Sequence, residues 1–134
     1  MATFLLVHGT FAQSANWPAL QEGLAEEARE GGEKASFKQL AWSGKNRAAA
    51  RESAASAILK SVQEIQSNSS NEKIFLIGHS HGGSAIAYFL KEHPEAANTL
   101  AGCAFLSTPF VAIRPRRNAF RLMALLLFFR ISFL

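Results

Sequence analysis

The chain has 134 residues, the size of a single domain, and 49% of them are apolar, which excludes an intrinsically disordered chain. A single cysteine excludes both an intramolecular disulfide and a cysteine-rich zinc site. Residues 1–113 carry 9 basic and 10 acidic side chains, so no broad basic face is available and nucleic acid is not expected as a partner.

The first predicted elements are a strand and a helix. Residues 3–7 form a short apolar run, which is typical of a strand buried on both faces of a parallel sheet. Pro18 then suits the first turn of a helix, where its missing N–H would be unpaired anyway. Apolar side chains recur at helical spacing until Gly31 and Gly32, which are natural stop residues.

Three more strands and two more helices are predicted after this unit. The strands lie at residues 35–42, 73–77 and 100–106, and the helices at residues 47–66 and 84–92. This alternation, with short connections, predicts an α/β domain in which helices cover the faces of a parallel sheet. Ligands bind such sheets at the carboxyl ends of the strands, so the peptides that follow two of these strands are candidates for a binding or catalytic site.

The first of these peptides is Gly78-His79-Ser80-His81-Gly82, which matches the pattern G-x-S-x-G between a strand and a helix. A sharp turn there lifts the Ser80 hydroxyl above the sheet, and the flanking glycines carry no Cβ that would clash. The N–H of His81, at the start of a helix, faces the position of a developing oxyanion. Against the alternative of a solvated serine at a glycine-rich helix start, we predict Ser80 as a nucleophile.

The second peptide is His8-Gly9-Thr10-Phe11, which follows the first strand. The backbone N–H of Thr10 is predicted to be a second oxyanion donor, and Phe11 to wall an apolar acyl site. The alternative is an ordinary strand-to-loop turn with His8 hydrogen-bonded in the core. The neighbouring serine motif favours the oxyanion role.

Together with the end of the fourth strand, these motifs resemble the α/β-hydrolase superfamily, and in particular its lipase- and esterase-like members. The blocks that carry the resemblance are Leu5-Leu6-Val7-His8-Gly9, Ile74-Phe75-Leu76-Ile77-Gly78-His79-Ser80-His81-Gly82-Gly83 and Leu106-Ser107-Thr108-Pro109. The resemblance covers residues 3–113, about the first half of such a domain. It implies a Ser–His–acid triad that hydrolyses acyl esters of small molecules or lipids, with no cofactor and no metal.

The sequence departs from this family where the base and the acid should lie. In the family, both follow the nucleophile along the chain. After Ser80 there is no Asp, and the only histidines are His81 and His93. His81 adjoins the nucleophile, whereas His93, Glu92 and Glu95 lie at the far end of the next helix and are predicted to be solvated. We therefore predict a hydrolase core truncated after the strand that follows the nucleophile helix, and nearly inactive alone.

Other motifs favour ordinary structure. The glycine-rich peptide lacks Gly-Lys-Ser/Thr and is not a phosphate-binding loop. The H-x-H spacing around Ser80 could hold a metal only in a barrel of roughly 250 residues with further ligands. Residues 42–47 either border the site or, as we favour, form a turn with a helix cap. Cys103 is predicted to be packed in a strand rather than reactive.

Residues 114–134 differ from the rest of the chain, because they carry five Arg and no acid. Their uninterrupted apolar run, residues 122–129, is shorter than the roughly 20 residues that a bilayer span requires. We expect a basic apolar helix on a membrane surface, a fragment of a lipase lid or an incomplete membrane span, in preference to a core helix. The first residues contain no basic stretch typical of a signal peptide, which predicts a cytoplasmic protein or one peripheral to a membrane.

Two rival interpretations follow from the missing base. The chain could be a non-catalytic pseudo-hydrolase that binds lipid or a protein partner through residues 114–134. It could also fail to fold alone, because the exposed edge of half a sheet favours aggregation.

Overall fold

The computed structural model describes residues 1–10, 12, 17–69 and 71–110. Phe11, predicted to wall the acyl site, and the segment 114–134 lie outside the described residues. Within them the elements, in chain order, are β1 (Ala2–Val7), α1 (Pro18–Glu30), β2 (Ala35–Gln39), α2 (Ala48–Asn68), β3 (Lys73–His79), α3 (His81–Glu92), α4 (Pro94–Ala97) and β4 (Gly102–Leu106).

The strands form one parallel sheet in the order β2-β1-β3-β4, which confirms the predicted α/β architecture. At the carboxyl end of the central pair, Val7 of β1 lies beside Gly78 of β3. The chain leaves β1 towards β2 on one side and resumes with β3 on the other. The loops after β1 and β3 therefore diverge at this point, and a crevice between them is where ligands bind in such sheets.

The two faces of the sheet are covered to different depths. Every residue of β1 is buried, as predicted for a strand covered on both sides. On one face, α2 and α3 bury a continuous apolar cluster that includes Ile58, Ile86 and Phe89, all of them inaccessible to solvent. On the other face, Phe4 stacks between two neighbouring phenylalanines, but none of the described residues of α1, 18–30, is fully buried. The helix that follows Ser80 thus packs on the thicker of the two cores.

Several predicted boundaries are wrong. The helix α3 begins at His81 and not at Ser84, because a single residue, Ser80, completes the turn from strand to helix. The strand β2 ends at Gln39 and not at residue 42, although Leu40 still donates its N–H to the Leu6 carbonyl at 2.9 Å. The short helix α4 was not predicted, and β4 begins at Gly102 rather than at residue 100.

Among the helices of the described residues, none has both the length and the apolar character needed to cross a bilayer.

Candidate active site

Ser80 occupies a strained backbone conformation at the carboxyl end of β3. Its φ of 53° and ψ of −126° lie in a region that residues with a Cβ rarely adopt. Its N–H donates to the Leu106 carbonyl at 2.8 Å, and its own carbonyl accepts from the Gly83 N–H at 3.0 Å. Such strain costs of order 1–3 kcal/mol and persists only where neighbouring structure holds it, which is common at functional sites.

Replacing Ser80 with glycine is expected to stabilise the fold by about 1 kcal/mol, because glycine adopts a positive φ without steric cost. Urea unfolding followed by circular dichroism measures the change. The matched control is Ser84→Gly inside α3, where glycine should cost about 0.5–1 kcal/mol. Equal destabilisation by both substitutions would contradict the strain at Ser80.

Glycines allow three chain segments to approach one another around Ser80. A Cβ on Gly78 would lie 2.6 Å from the Cα of Gly83, so β3 and α3 meet at van der Waals contact. A Cβ on Gly82 would lie 2.5 Å from the His8 carbonyl oxygen and closer still to that of Val7. The first turn of α3 therefore rests directly on the backbone at the end of β1.

The loop after β1 lies against the serine. A Cβ on Gly9 would lie 3.0 Å from the Cβ of Ser80. The Gly9 carbonyl accepts hydrogen bonds from His8 Nδ1 at 2.8 Å and from the Ala12 N–H at 3.3 Å. Since a carbonyl only accepts, His8 Nδ1 carries the proton. The same trans peptide group carries the Thr10 N–H, which points away from this carbonyl, so the two bonds fix the direction of that N–H.

Unpaired polar atoms collect around this turn. Thr10 Oγ1, His81 Nδ1 and Thr108 Oγ1 are buried and have no hydrogen-bond partner among the described residues. Thr10 follows Gly9, His81 follows Ser80, and the Thr108 side chain lies against Gly83. Buried polar atoms without partners are costly and are typical of sites that bind a further group. The structure thus brings the peptides of all three sequence-predicted site residues to one edge of the sheet.

Among the described residues, no hydrogen bond joins a histidine ring to Ser80, and the buried His81 Nδ1 next to the serine has no partner. His8 is 2% exposed and bonds to Gly9, while His79 is exposed and its ring packs edge-on against Trp17 at 6.2 Å. His93 follows the 12 residues of α3, which span about 18 Å. His93, predicted to be solvated, is only partly exposed, and its ring packs on Phe89 at 5.8 Å.

The acidic residues after Ser80 lie on the surface, as predicted. Glu92 and Glu95 are exposed. Glu92 accepts a hydrogen bond from Lys91 Nζ at 3.0 Å, and this bond raises the pKa of Lys91. Both carboxylates belong to the far end of α3 and the start of α4, away from the turn that carries the serine.

The part of the chain that the structure describes holds no metal-binding cluster, and its one thiol is partly buried. No group of three His, Cys or Glu side chains there could hold a metal ion. Cys103 is half-buried in β4 and packs against the larger apolar cluster. Burial raises the pKa of its thiol, which lowers the thiolate fraction at neutral pH.

Trp42 lies at the border of the site, the alternative for residues 42–47 that the sequence did not favour: its indole Nε1 donates to the His8 carbonyl at 3.2 Å. The predicted helix cap does lie in residues 42–47, because the N-cap of α2 is Arg47, but the side chain of Arg47 forms no capping bond with any described residue. The available signal was a tryptophan in the loop after a strand, at the edge where the motifs meet.

A family model described as the alpha/beta hydrolase fold matches residues 2–126. The chain belongs to this family. The match extends over β1, the serine turn and β4, which are the elements described above. No curated protein sequence matches this α/β hydrolase chain.

Solved structures resemble this α/β hydrolase in fold. A Bacillus licheniformis lipase is 23% identical, with a TM-score of 0.58, and the match covers 80% of this chain and 40% of the lipase. A cutinase-like protein from Cryptococcus sp. is 15% identical with a TM-score of 0.61, over 78% of this chain and 52% of that protein. An acetyl xylan esterase is 12% identical with a TM-score of 0.57, over 85% of this chain and 66% of that protein. The chain thus matches only part of the length of each.

Proposed function

We propose that this chain carries the nucleophile and oxyanion half of a serine hydrolase that acts on carboxylic esters. The observation that carries the proposal is Ser80 at a positive φ between β3 and α3, with Gly9 packed against its Cβ. A nucleophilic serine on a strained strand-to-helix turn is the arrangement that esterases of this fold use. The backbone N–H groups of Thr10 and His81 are the oxyanion donors in this proposal.

The proposed chemistry is acyl transfer to the serine. Ser80 Oγ bonds to the ester carbonyl carbon while its proton passes to a general base, and the carbonyl oxygen becomes the oxyanion. The C–O bond to the leaving alcohol then breaks, and the alcohol takes up that proton. Water hydrolyses the acyl-serine by the same steps in reverse.

This proposal assigns no residue of the chain as the general base or as the triad acid. Asp is absent from the sequence, and among the described residues no hydrogen bond joins a histidine ring to Ser80. Loss of triad members lowers turnover by several orders of magnitude, although the oxyanion donors retain part of the rate enhancement. We therefore expect this chain alone to be nearly inactive, with Ser80 acylated slowly and not turned over.

The substrate class in this proposal is supported by the fold neighbours. The structures that resemble this chain are named as a lipase, a cutinase-like protein and an acetyl xylan esterase, which supports esters of small molecules or lipids. Residues 1–113 form the partial hydrolase core in this proposal. Residues 114–134, with five Arg and no acid, would contact a membrane surface as a helix or serve as part of a lid. A cytoplasmic or membrane-peripheral location accompanies that role.

Chemical rescue tests the proposal. The full chain is incubated with a fluorophosphonate with and without imidazole, which supplies a diffusible base, and intact-mass spectrometry follows the adduct. We expect slow labelling at Ser80 that imidazole accelerates about tenfold or more, since general-base catalysis contributes at least that much.

Two variants control for reaction elsewhere. Ser80→Ala removes the nucleophile and should abolish labelling, whereas Ser84→Ala, four residues along in α3, should label like the wild type. A folded chain whose labelling stays at background with imidazole would refute the hydrolase role. That outcome would favour a non-catalytic pseudo-hydrolase that binds lipid or a partner through residues 114–134, testable by sedimentation with anionic liposomes.

A further inference from the structure

The indole of Trp42 contacts the peptide after β1 in two ways. Its Nε1 donates to the His8 carbonyl at 3.2 Å, and its ring stacks on the His8 imidazole with centroids 5.4 Å apart and planes 29° from parallel. Trp42 belongs to the loop after β2, an edge strand of the described sheet, so these contacts join that loop to the loop beside Ser80. Neither contact involves the serine turn directly.

The His8 carbonyl is held from a second side by α3. A Cβ on Gly82 would lie 2.5 Å from this oxygen, which means that the helix backbone already packs against it. The indole N–H supplies a hydrogen bond to an oxygen that would otherwise be buried beside a helix turn. An unpaired buried carbonyl is costly, so the position of this peptide depends on Trp42.

The orientation of the stacked His8 imidazole determines the orientation of the peptide group between Gly9 and Thr10. His8 is 2% exposed, and the indole covers one face of its ring, which fixes the direction of Nδ1. Nδ1 donates to the Gly9 carbonyl at 2.8 Å. That carbonyl and the Thr10 N–H belong to one peptide group, so the orientation of the imidazole sets the orientation of the N–H.

We propose that Trp42 is a positioning residue for the oxyanion loop: the indole orients His8, and His8 orients the peptide that carries the Thr10 N–H. Its catalytic consequence rests on the proposed function, because it assumes that the Thr10 N–H binds the oxyanion. Donors of this kind must be oriented before the reaction, since reorganisation during the reaction lowers their effect.

The surroundings of Trp42 show what its loss would do. A cavity of about 370 Å³ opens beside it, lined by His8, Gln39, Leu40, Ala41 and Trp42 itself. The indole forms part of the wall next to the imidazole. A smaller side chain would enlarge this cavity and give His8 access to water, and water would compete with the Gly9 carbonyl for Nδ1.

Two variants separate the two contacts. Trp42→Phe keeps an aromatic ring against His8 and removes the N–H donor, whereas Trp42→Leu removes both. The chain offers a matched control in its other tryptophan, because Trp17 Nε1 is buried without a hydrogen-bond partner among the described residues. Trp17→Phe therefore removes an indole N–H that forms no hydrogen bond with any described residue.

The first readout is spectroscopic and does not require activity. In ¹⁵N–¹H spectra of the full chain, Trp42→Phe should shift the Thr10 amide signal and the His8 Nδ1–H signal, and Trp17→Phe should leave both in place. The second readout is the rate of fluorophosphonate labelling at Ser80 with imidazole present. Trp42→Phe should lower this rate about fivefold, the worth of one hydrogen bond, and Trp42→Leu should lower it further.

The outcomes distinguish the two proposals. Unmoved Thr10 and His8 signals in folded Trp42→Phe and Trp42→Leu would overturn the inference, and so would labelling of both variants at the wild-type rate. If the wild type itself is not labelled, the proposed function fails. A shifted Thr10 signal in the Trp42 variants, absent from Trp17→Phe, would still support the positioning role of Trp42, whereas a His8 shift alone would follow from loss of the stacked indole.

Discussion

Replacing Gly82 with alanine is expected to destabilise the fold by about 3 kcal/mol, the upper part of the range for overpacked sites. The added methyl would lie 2.5 Å from the His8 carbonyl oxygen and closer to that of Val7. Both are backbone atoms at the end of a buried strand, so neither can rotate away as a flexible side chain would. Either α3 or the end of β1 must move, and urea unfolding followed by circular dichroism measures the cost.

The matched control for this substitution is Gly23→Ala in α1. A Cβ at Gly23 meets no described atom within 4 Å, so only the helix propensity changes. Alanine there should stabilise the protein by about 1 kcal/mol. If Gly82→Ala unfolded at the same urea concentration as the wild type, the close approach of α3 to β1 would be wrong.

Truncation of Phe89 to alanine is expected to cost about 3–5 kcal/mol, as for other fully buried phenylalanines. Phe89 is 0% exposed and lies in α3, in the cluster between that helix, α2 and the sheet. The loss combines the transfer free energy of the ring with the cavity that it leaves. Because α3 also carries the first turn beside Ser80, the fluorophosphonate labelling of Ser80 should fall together with the urea midpoint.

Phe110 provides the same chemical change at the surface. It is 71% exposed and only its ring edge packs on Phe105, with centroids 5.4 Å apart. Phe110→Ala should change the free energy of unfolding by about 0.5 kcal/mol or less. Similar losses for the two substitutions would mean that α3 is not packed on the sheet as described.

The strands and the serine turn were predictable because their signals are local. A run of apolar residues identifies β1, and the G-x-S-x-G pattern after a strand identifies Ser80 as the residue of the turn. The start of α3 was misplaced for an equally local reason. Gly82 and Gly83 have low helix propensity, so the regular helix was placed three residues too late, although the sharp turn at Ser80 and the His81 N–H at a helix start were predicted.

Contacts between distant residues were not predictable from these patterns. Trp42 and His8 are 34 residues apart, and their hydrogen bond depends on how β2 lies beside β1 in the sheet. A tryptophan after a strand has no periodicity that reveals its partner. The pairing of His8 with Gly9 is local, but its importance depends on Gly9 lying against Ser80, which also follows from the sheet.

The hydrogen bond from the Ser80 N–H to the Leu106 carbonyl determines how late in synthesis the Ser80 turn can form completely. Ser80 leaves the ribosome before Leu106, and until β4 pairs with β3 its N–H lacks this acceptor. Thr108, whose side chain lies against Gly83, arrives later still. A nascent chain that has released only the first three strands lacks this hydrogen bond, which is one of the contacts that hold Ser80 at its positive φ. The full set of contacts around the Ser80 turn is therefore among the last features of this sheet to form during translation.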